Sequence, residues 1–229
     1  MQPEKSRRIG LIVPSSNTVM EPDFYRRLPA HVTLHTARMF LEDVTAETEA
    51  RMLDEFTLPA ARDLATVQPD VVIFGCTSAG ALRGNPFEEE FIQEISRVSG
   101  APTIGVNQSV RETLKKLNAQ KIVVITPYLD ELNQRIQASL EQAGLEILNI
   151  QGLGIRENTN IARVPGSQIL ELAHTAVGKL QPDALFVSCT NFPAVDVLNR
   201  LRGMYPFPVI SSNQAVLDRA LAELDRLTA

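Results

Sequence analysis

The chain has little of what builds metal and cofactor sites. It holds only two cysteines and three histidines. There is no Cys-x-x-Cys and no His/Cys cluster at metal-ligand spacing, so no metal is expected. There is no Walker loop and no Gly-x-Ser-x-Gly elbow, and Gly152-Leu153-Gly154 lacks the further glycine of a dinucleotide turn. No cofactor is expected either. His31, His35 and His174 read as structural residues. No basic run relieves a net charge of −5, which argues against nucleic acid and anionic membrane surfaces as partners. No apolar run approaches the roughly 20 residues of a bilayer span. The first residues, MQPEKSRRIGLIVP, carry basic groups but too short an apolar stretch for a signal peptide. A cytoplasmic location follows, where thiols stay reduced and a Cys76–Cys189 disulfide is disfavoured. Low-complexity segments and flexible linkers are lacking as well.

What the chain does have is a repeat. Residues 68–78 read QPDVVIFGCTS and residues 181–191 read QPDALFVSCTN, each block carrying one of the two cysteines. Cys76 and Cys189 are offset by 113 positions, and so are Ile9 and Ile122, which open IGLIVP and IVVITP. Two matches in one register mark two copies of a half-domain. A pseudo-two-fold axis between the copies would turn the two thiols toward one cleft. A thiol on either side of one small molecule suits chemistry on both faces of a carbon, as in a racemase or isomerase.

Short apolar runs alternate with amphipathic stretches. Strands are predicted at 9–13, 32–38, 71–75, 103–106, 121–125, 145–150, 184–188 and 208–210. Helices are predicted at 20–28, 45–66, 86–98, 108–118, 129–143, 166–180, 193–202 and 213–227. Runs such as VVIF and ALFV are apolar on both faces, as in a parallel sheet covered on each side. The sequence therefore predicts an α/β fold of two pseudo-symmetric Rossmann-like lobes, each a parallel sheet flanked by helices, with the site in the cleft between them. The lobes are placed at 1–110 and 111–212, and the last helix, 213–229, is expected to pack back on the first. Gly144 is expected to cap the helix before it in a left-handed conformation.

In such sheets ligands sit beyond the carboxyl ends of the strands. Both cysteines fall there, where a helix start would favour the thiolate. An isolated cysteine is more often core, but two in one register, each followed by threonine, read as functional. Thr77, Ser78, Thr190 and Asn191 supply donors beside them. Ser15, Ser16, Asn17 and Thr18 follow the strand ending at Pro14. They suit carboxylate binding as well as plain helix capping. Asn107 and Asn213, in IGVNQSV and ISSNQAV, read as helix N-caps. Asn158 and Asn160 lie in a polar loop, one of them within reach of the cleft.

At these motifs the chain resembles the aspartate/glutamate racemase superfamily, and within it the maleate cis–trans isomerase branch. The residues carrying the likeness are V-P-S-S-N-T (Val13–Thr18), G-C-T-S (Gly75–Ser78), S-C-T-N (Ser188–Asn191), T-P-Y (126–128) and E-N (157–158). The arylmalonate decarboxylases of the same superfamily keep only the second cysteine, so retention of Cys76 speaks against that branch. The resemblance implies a cofactor-independent isomerase. Cys76 would add to maleate as a thiolate, giving a succinyl-cysteine-like adduct. Cys189 would supply and retrieve a proton, and elimination would give fumarate. Asn17, Tyr128 and Asn158 would bind carboxylates, with Thr77, Ser78, Thr190 and Asn191 as further donors and Ser16 kept as a substrate-binding candidate from its motif. The alternative is a two-base cysteine racemase of an aspartate/glutamate-type or related amino acid. The implied partner is a small dicarboxylate or amino acid, and the implied assembly a homodimer or higher homo-oligomer.

Overall fold

Val71–Phe74 and Ala184–Val187 are apolar at every position and buried at every position. Full burial of each Val, Ile, Leu or Phe side chain among them contributes about 1.5–3 kcal/mol, so these two runs anchor the centre of the molecule. The computed structural model describes residues 6–227. The first run is β3 of a parallel sheet made with β1 (Arg7–Pro14), β2 (Val32–Met39) and β4 (Thr103–Gly105), in the order β2-β1-β3-β4. The second run is β7 of a parallel sheet made with β5 (Lys121–Thr126), β6 (Glu146–Gly152) and β8 (Val209–Ser211), in the order β6-β5-β7-β8. The two orders are the same. Ile9 lies opposite Val71 and Ile122 opposite Ala184, so the sequence repeat is also a repeat in space. All eight predicted strands are present within a residue or two of their expected ends.

Helices flank both sheets. They are α1 (Met20–Tyr25), α2 (Ala46–Arg51), α3 (Thr57–Ala65), α4 (Thr77–Ala81), α5 (Asn85–Ser99), α6 (Val106–Lys116), α7 (Asp130–Gln142), α8 (Asn158–Ile161), α9 (Gly166–Val177), α10 (Val195–Met204) and α11 (Ser212–Arg226). Gly144 follows α7 with φ +87, as its position in the sequence predicts. α11 lies against α6, β3 and β4. Among the described residues no helix is long and apolar enough to cross a membrane.

Three local expectations need correcting. The helix expected at 45–66 is broken into α2, a π turn at Met52–Phe56, and α3. Pro59 explains the break: it lacks the N–H that would bond the Glu55 carbonyl, and its ring crowds that carbonyl. α4 and α8 fall where no helix is predicted, because five and four residues give no readable period. Asn107 and Asn213 are not N-caps. Gly105 and Ser211 occupy those positions, and the Ser211 hydroxyl accepts from Gln214 N.

Candidate active site

Each cysteine ends a central strand. Cys76 follows β3 and caps α4, while Cys189 follows β7. Both are free, buried thiols, and both line one cavity. Its wall comprises Pro14, Asn17, Leu41, Val44, Glu49, Cys76, Ser78, Tyr128, Asn158, Cys189, Thr190 and Asn191. No lysine, arginine or histidine is among them. The cavity measures ≈ 10 Å³, room for about one water molecule.

The cover is tied down from both halves. Leu41 and Val44 come from the segment between β2 and α2. In that segment Val44 N donates to Arg156 O at 2.7 Å and Asp43 pairs with Arg156 at 2.8 Å. Asn158 N donates to Glu42 O at 3.1 Å from the other side.

The polar residues hold one another. Asn17 accepts at Oδ1 from Val19 N and Met20 N, both at 3.0 Å, which fixes the start of α1. Its Nδ2 donates to Thr190 Oγ1 at 3.1 Å, and that hydroxyl donates to Gly75 O at 3.1 Å. Asn191 Nδ2 donates to Asn158 O at 2.8 Å, and its Oδ1 accepts from Thr18 N at 2.9 Å. Tyr128 is 2% exposed, and its N–H donates to Thr126 Oγ1 at 3.1 Å. Of the predicted site residues, Ser16 and Thr77 do not line the cavity. Ser16 lies outside it, donating to Leu41 O at 2.5 Å and accepting from Asn158 Nδ2 at 2.8 Å. Thr77 is buried behind the wall and donates to Ser212 Oγ at 3.0 Å. Asn160 points away, donating to the Glu157 carboxylate at 2.8 Å, so Asn158 alone of that pair reaches the cavity. His31 and His174 are exposed, and His35 bonds Thr33 on the sheet edge.

The two cysteines differ in backbone. Cys76 is extended at φ −139, but Cys189 sits at φ +113, a region that disfavours any side chain. Such strain persists only where the surroundings enforce it. Cys189 N donates to Ser212 Oγ at 3.1 Å, the same oxygen that accepts from Thr77.

Burial, above all, pushes the Cys76 thiol well above its ordinary value, and the Glu49 carboxyl adds to the push. The Ala79 N–H and the Ser78 hydroxyl pull it down, by less. Burial likewise pushes Cys189 up to about 12, against the Tyr128 hydroxyl and the N–H groups of Asn191 and Phe192. Asn191 N lies 3.3 Å from the Cys189 sulfur. The amide at the helix start favours the Cys76 thiolate, as the sequence predicts, but it does not decide the balance. α4 has five residues, and desolvation outweighs its amides. Both residues rest as thiols beside donors placed to receive a thiolate.

Glu49 is the polar wall residue that the sequence motifs do not mark, and Leu41 and Val44 are the apolar ones. Glu49 is fully buried, and its Oε1 accepts from the Ser78 hydroxyl. A signal was available: at helical spacing Glu49 shares a stripe with Ala46 and with Leu53 of the π turn, where an apolar residue belongs. Burial pushes its carboxyl up to about 8, with Glu131 adding and Ser78 opposing. Among the described residues, no three His, Cys, Asp or Glu group in a way that could hold a metal ion.

A duplicated α/β fold that brings one thiol from each half to an enclosed polar wall defines an enzyme of the cysteine type. Residues 9–228 match the family described as arylmalonate decarboxylase, and the chain belongs to that family. A maleate isomerase from Nocardia farcinica is 29% identical over 96% of this chain and 90% of its own length. One from Geobacillus stearothermophilus is 26% identical over 98% and 94%. A solved structure of the Nocardia farcinica maleate cis-trans isomerase, a cysteine-to-serine mutant with a covalently bound succinylcysteine intermediate, superposes with a TM-score of 0.89. It is 26% identical over 96% of this chain and 93% of that one.

Proposed function

We propose that this chain isomerises maleate to fumarate through a covalent adduct on a cysteine. The observation that carries the proposal is the pair of thiols on one enclosed wall of neutral donors. The succinylcysteine intermediate of the Nocardia farcinica relative supports the same chemistry. The Cys76 proton passes to solvent as the substrate enters, and the resulting thiolate adds to one alkene carbon. The electron pair moves to the neighbouring carbon and is delocalised into its carboxylate as an enediolate. The second amide N–H of Asn17 and of Asn158, with the Tyr128 hydroxyl, would stabilise that oxyanion, while Thr190 and Asn191 hold those two asparagines in place. The former double bond is now single and rotates. Cys189 delivers a proton to the carbanion and later takes it back. Expulsion of the Cys76 sulfur re-forms the alkene in the trans geometry. Atoms and charge balance without a redox partner.

The roles given to individual residues are part of this proposal, as is the division into lobes at 1–110 and 111–212. A cytoplasmic location and a homo-oligomer belong to the same reading, and light scattering measures the latter. The test is direct. Wild-type protein with maleate should yield fumarate, followed by proton NMR. Cys76→Ser should lose activity by at least about 10³-fold. Cys189→Ser should accumulate one diacid mass on the protein, mapped to Cys76 by peptide mass spectrometry. No fumarate and no adduct would reject the proposal. A two-base racemase would instead exchange the α-proton of an acidic amino acid with deuterated water.

A further inference from the structure

We infer that Glu49 contacts the substrate, as a neutral carboxylic acid donating from Oε2 to one of its carboxylates. The inference rests on the dicarboxylate reading above. Glu49 is fully buried in the wall that holds both thiols. Its Oε1 already accepts from Ser78. Its Oε2 is buried without any hydrogen-bond partner. A polar atom hidden in this way is costly unless something completes it. No cation lines the cavity to balance an ionised carboxylate. The proton therefore belongs on Oε2, the oxygen left free, and makes it a donor. A substrate carboxylate is an acceptor only, so the two are complementary.

Charge reinforces the fit. An ionised Glu49 would bring a third negative charge against a dianion in a buried cavity. A dianion therefore binds the acid form and holds the proton in place. The groups facing Glu49 leave it the one residue titrating in the wall near neutral pH. Cys76, Cys189 and Tyr128 are all held protonated by burial. From α7, Glu131 adds to the upward push on Glu49. From the π turn, Asp54 and Glu55 are each paired with an arginine, Arg83 and Arg51. α4 itself, packed on α2, carries no charged side chain. The arrangement favours a dicarboxylate over an α-amino acid, whose ammonium would meet a donor.

The experiment compares wild type, Glu49→Gln and Glu49→Leu with maleate from about pH 6.5 to about pH 9.5. Calorimetric titration with succinate, which has no double bond for a thiol to attack, gives binding without turnover. Wild-type KM and succinate Kd should stay flat to about pH 8 and then rise about tenfold per unit, as only the acid form binds. Glu49→Gln keeps an N–H donor that does not titrate. Its KM should stay within about threefold at pH 7 and remain flat to the end of the range. Glu49→Leu should raise KM and Kd at least about tenfold at pH 7, with a smaller change in kcat. If Glu49→Leu does not fold, the Glu49→Gln profile decides. A flat wild-type profile, an unchanged slope in Glu49→Gln, or affinity that improves with pH would overturn the inference. Succinate binding with the expected profile but no turnover of maleate would keep the contact and remove the isomerase reading. Turnover with a flat profile would do the reverse.

Discussion

Asn213 donates from Nδ2 to the carbonyl of Thr190 at 3.1 Å. Its repeat partner Asn107 does the same for Thr77 at 2.9 Å. Each carbonyl belongs to the residue directly after a cavity cysteine. The two asparagines thus pin the two thiol-bearing turns from behind, one in each half. Asn213 also donates to the buried Asp23 carboxyl at 2.7 Å.

Replacing either asparagine with leucine keeps the volume and leaves a buried carbonyl without its donor. Asn107→Leu should cost about 1–3 kcal/mol in urea unfolding. Asn213→Leu should cost more, since Asp23 loses a partner as well. Both should lower kcat more than they change KM, because the thiols move while the side chains proposed to bind the substrate stay. Steady-state kinetics and denaturation together check this.

Glycine at the two cysteine positions should have opposite effects. At φ +113, Cys189→Gly relieves strain that Cys189→Ala retains, so the glycine variant should be the more stable by about 1 kcal/mol. At the extended Cys76, Cys76→Gly should be the less stable of its pair by a similar amount. The same order at both positions would show that the surroundings do not enforce the Cys189 backbone.

A methyl group has no room at Gly152. A Cβ there would lie 2.4 Å from Tyr128 O and 2.5 Å from Asn133 Nδ2. Gly152→Ala should displace the Tyr128 turn and reduce kcat by about tenfold or more. Loss of stability should accompany it, as the clash is with backbone. Wild-type kinetics in this variant would disprove the placement of Tyr128.

Three buried carboxyls set the pH dependence of stability. Burial raises Asp23 to about 6, Glu88 to about 7 and Glu49 to about 8. Between the ordinary carboxylate range and these values the folded protein binds more protons than the unfolded chain. Stability must therefore fall as pH rises through that window. The Tm should decline from about pH 5 to about pH 8.5. Glu49→Gln and Glu88→Gln should each flatten the decline. Arg111 sits 2.9 Å from Glu88, so Arg111→Met alone should steepen it.

Much of this was written in the sequence, for identifiable reasons. The strands were legible because each is a short apolar run at a fixed place in a repeat. The two cysteines were legible because the repeat put them in one register. Asn17, Ser78, Tyr128, Asn158, Thr190 and Asn191 line the cavity with them, each adjoining a strand end or a conspicuous motif. What escaped depends on packing across long distances. Glu49 stands out on the apolar stripe of its helix, but its partner Ser78 and the thiols beside it are brought there only by packing. Asn107 and Asn213 look like caps because they open helices, but they serve carbonyls far away in sequence. Ser16 and Thr77 share motifs with wall residues, yet their side chains turn elsewhere. The pull of local amides on the thiols was legible in the sequence, whereas the larger push of desolvation was not.

The lack of a guanidinium or ammonium in the cavity wall bears on capture. Anion-binding proteins often draw their ligands in through a positive field, which dissolved electrolyte weakens. Here an overall charge of −5 repels an approaching dianion, and nothing inside compensates. Recognition is left to enclosure and to neutral dipoles. Added sodium chloride should therefore leave affinity unchanged or improve it, the reverse of what a cationic receptor displays.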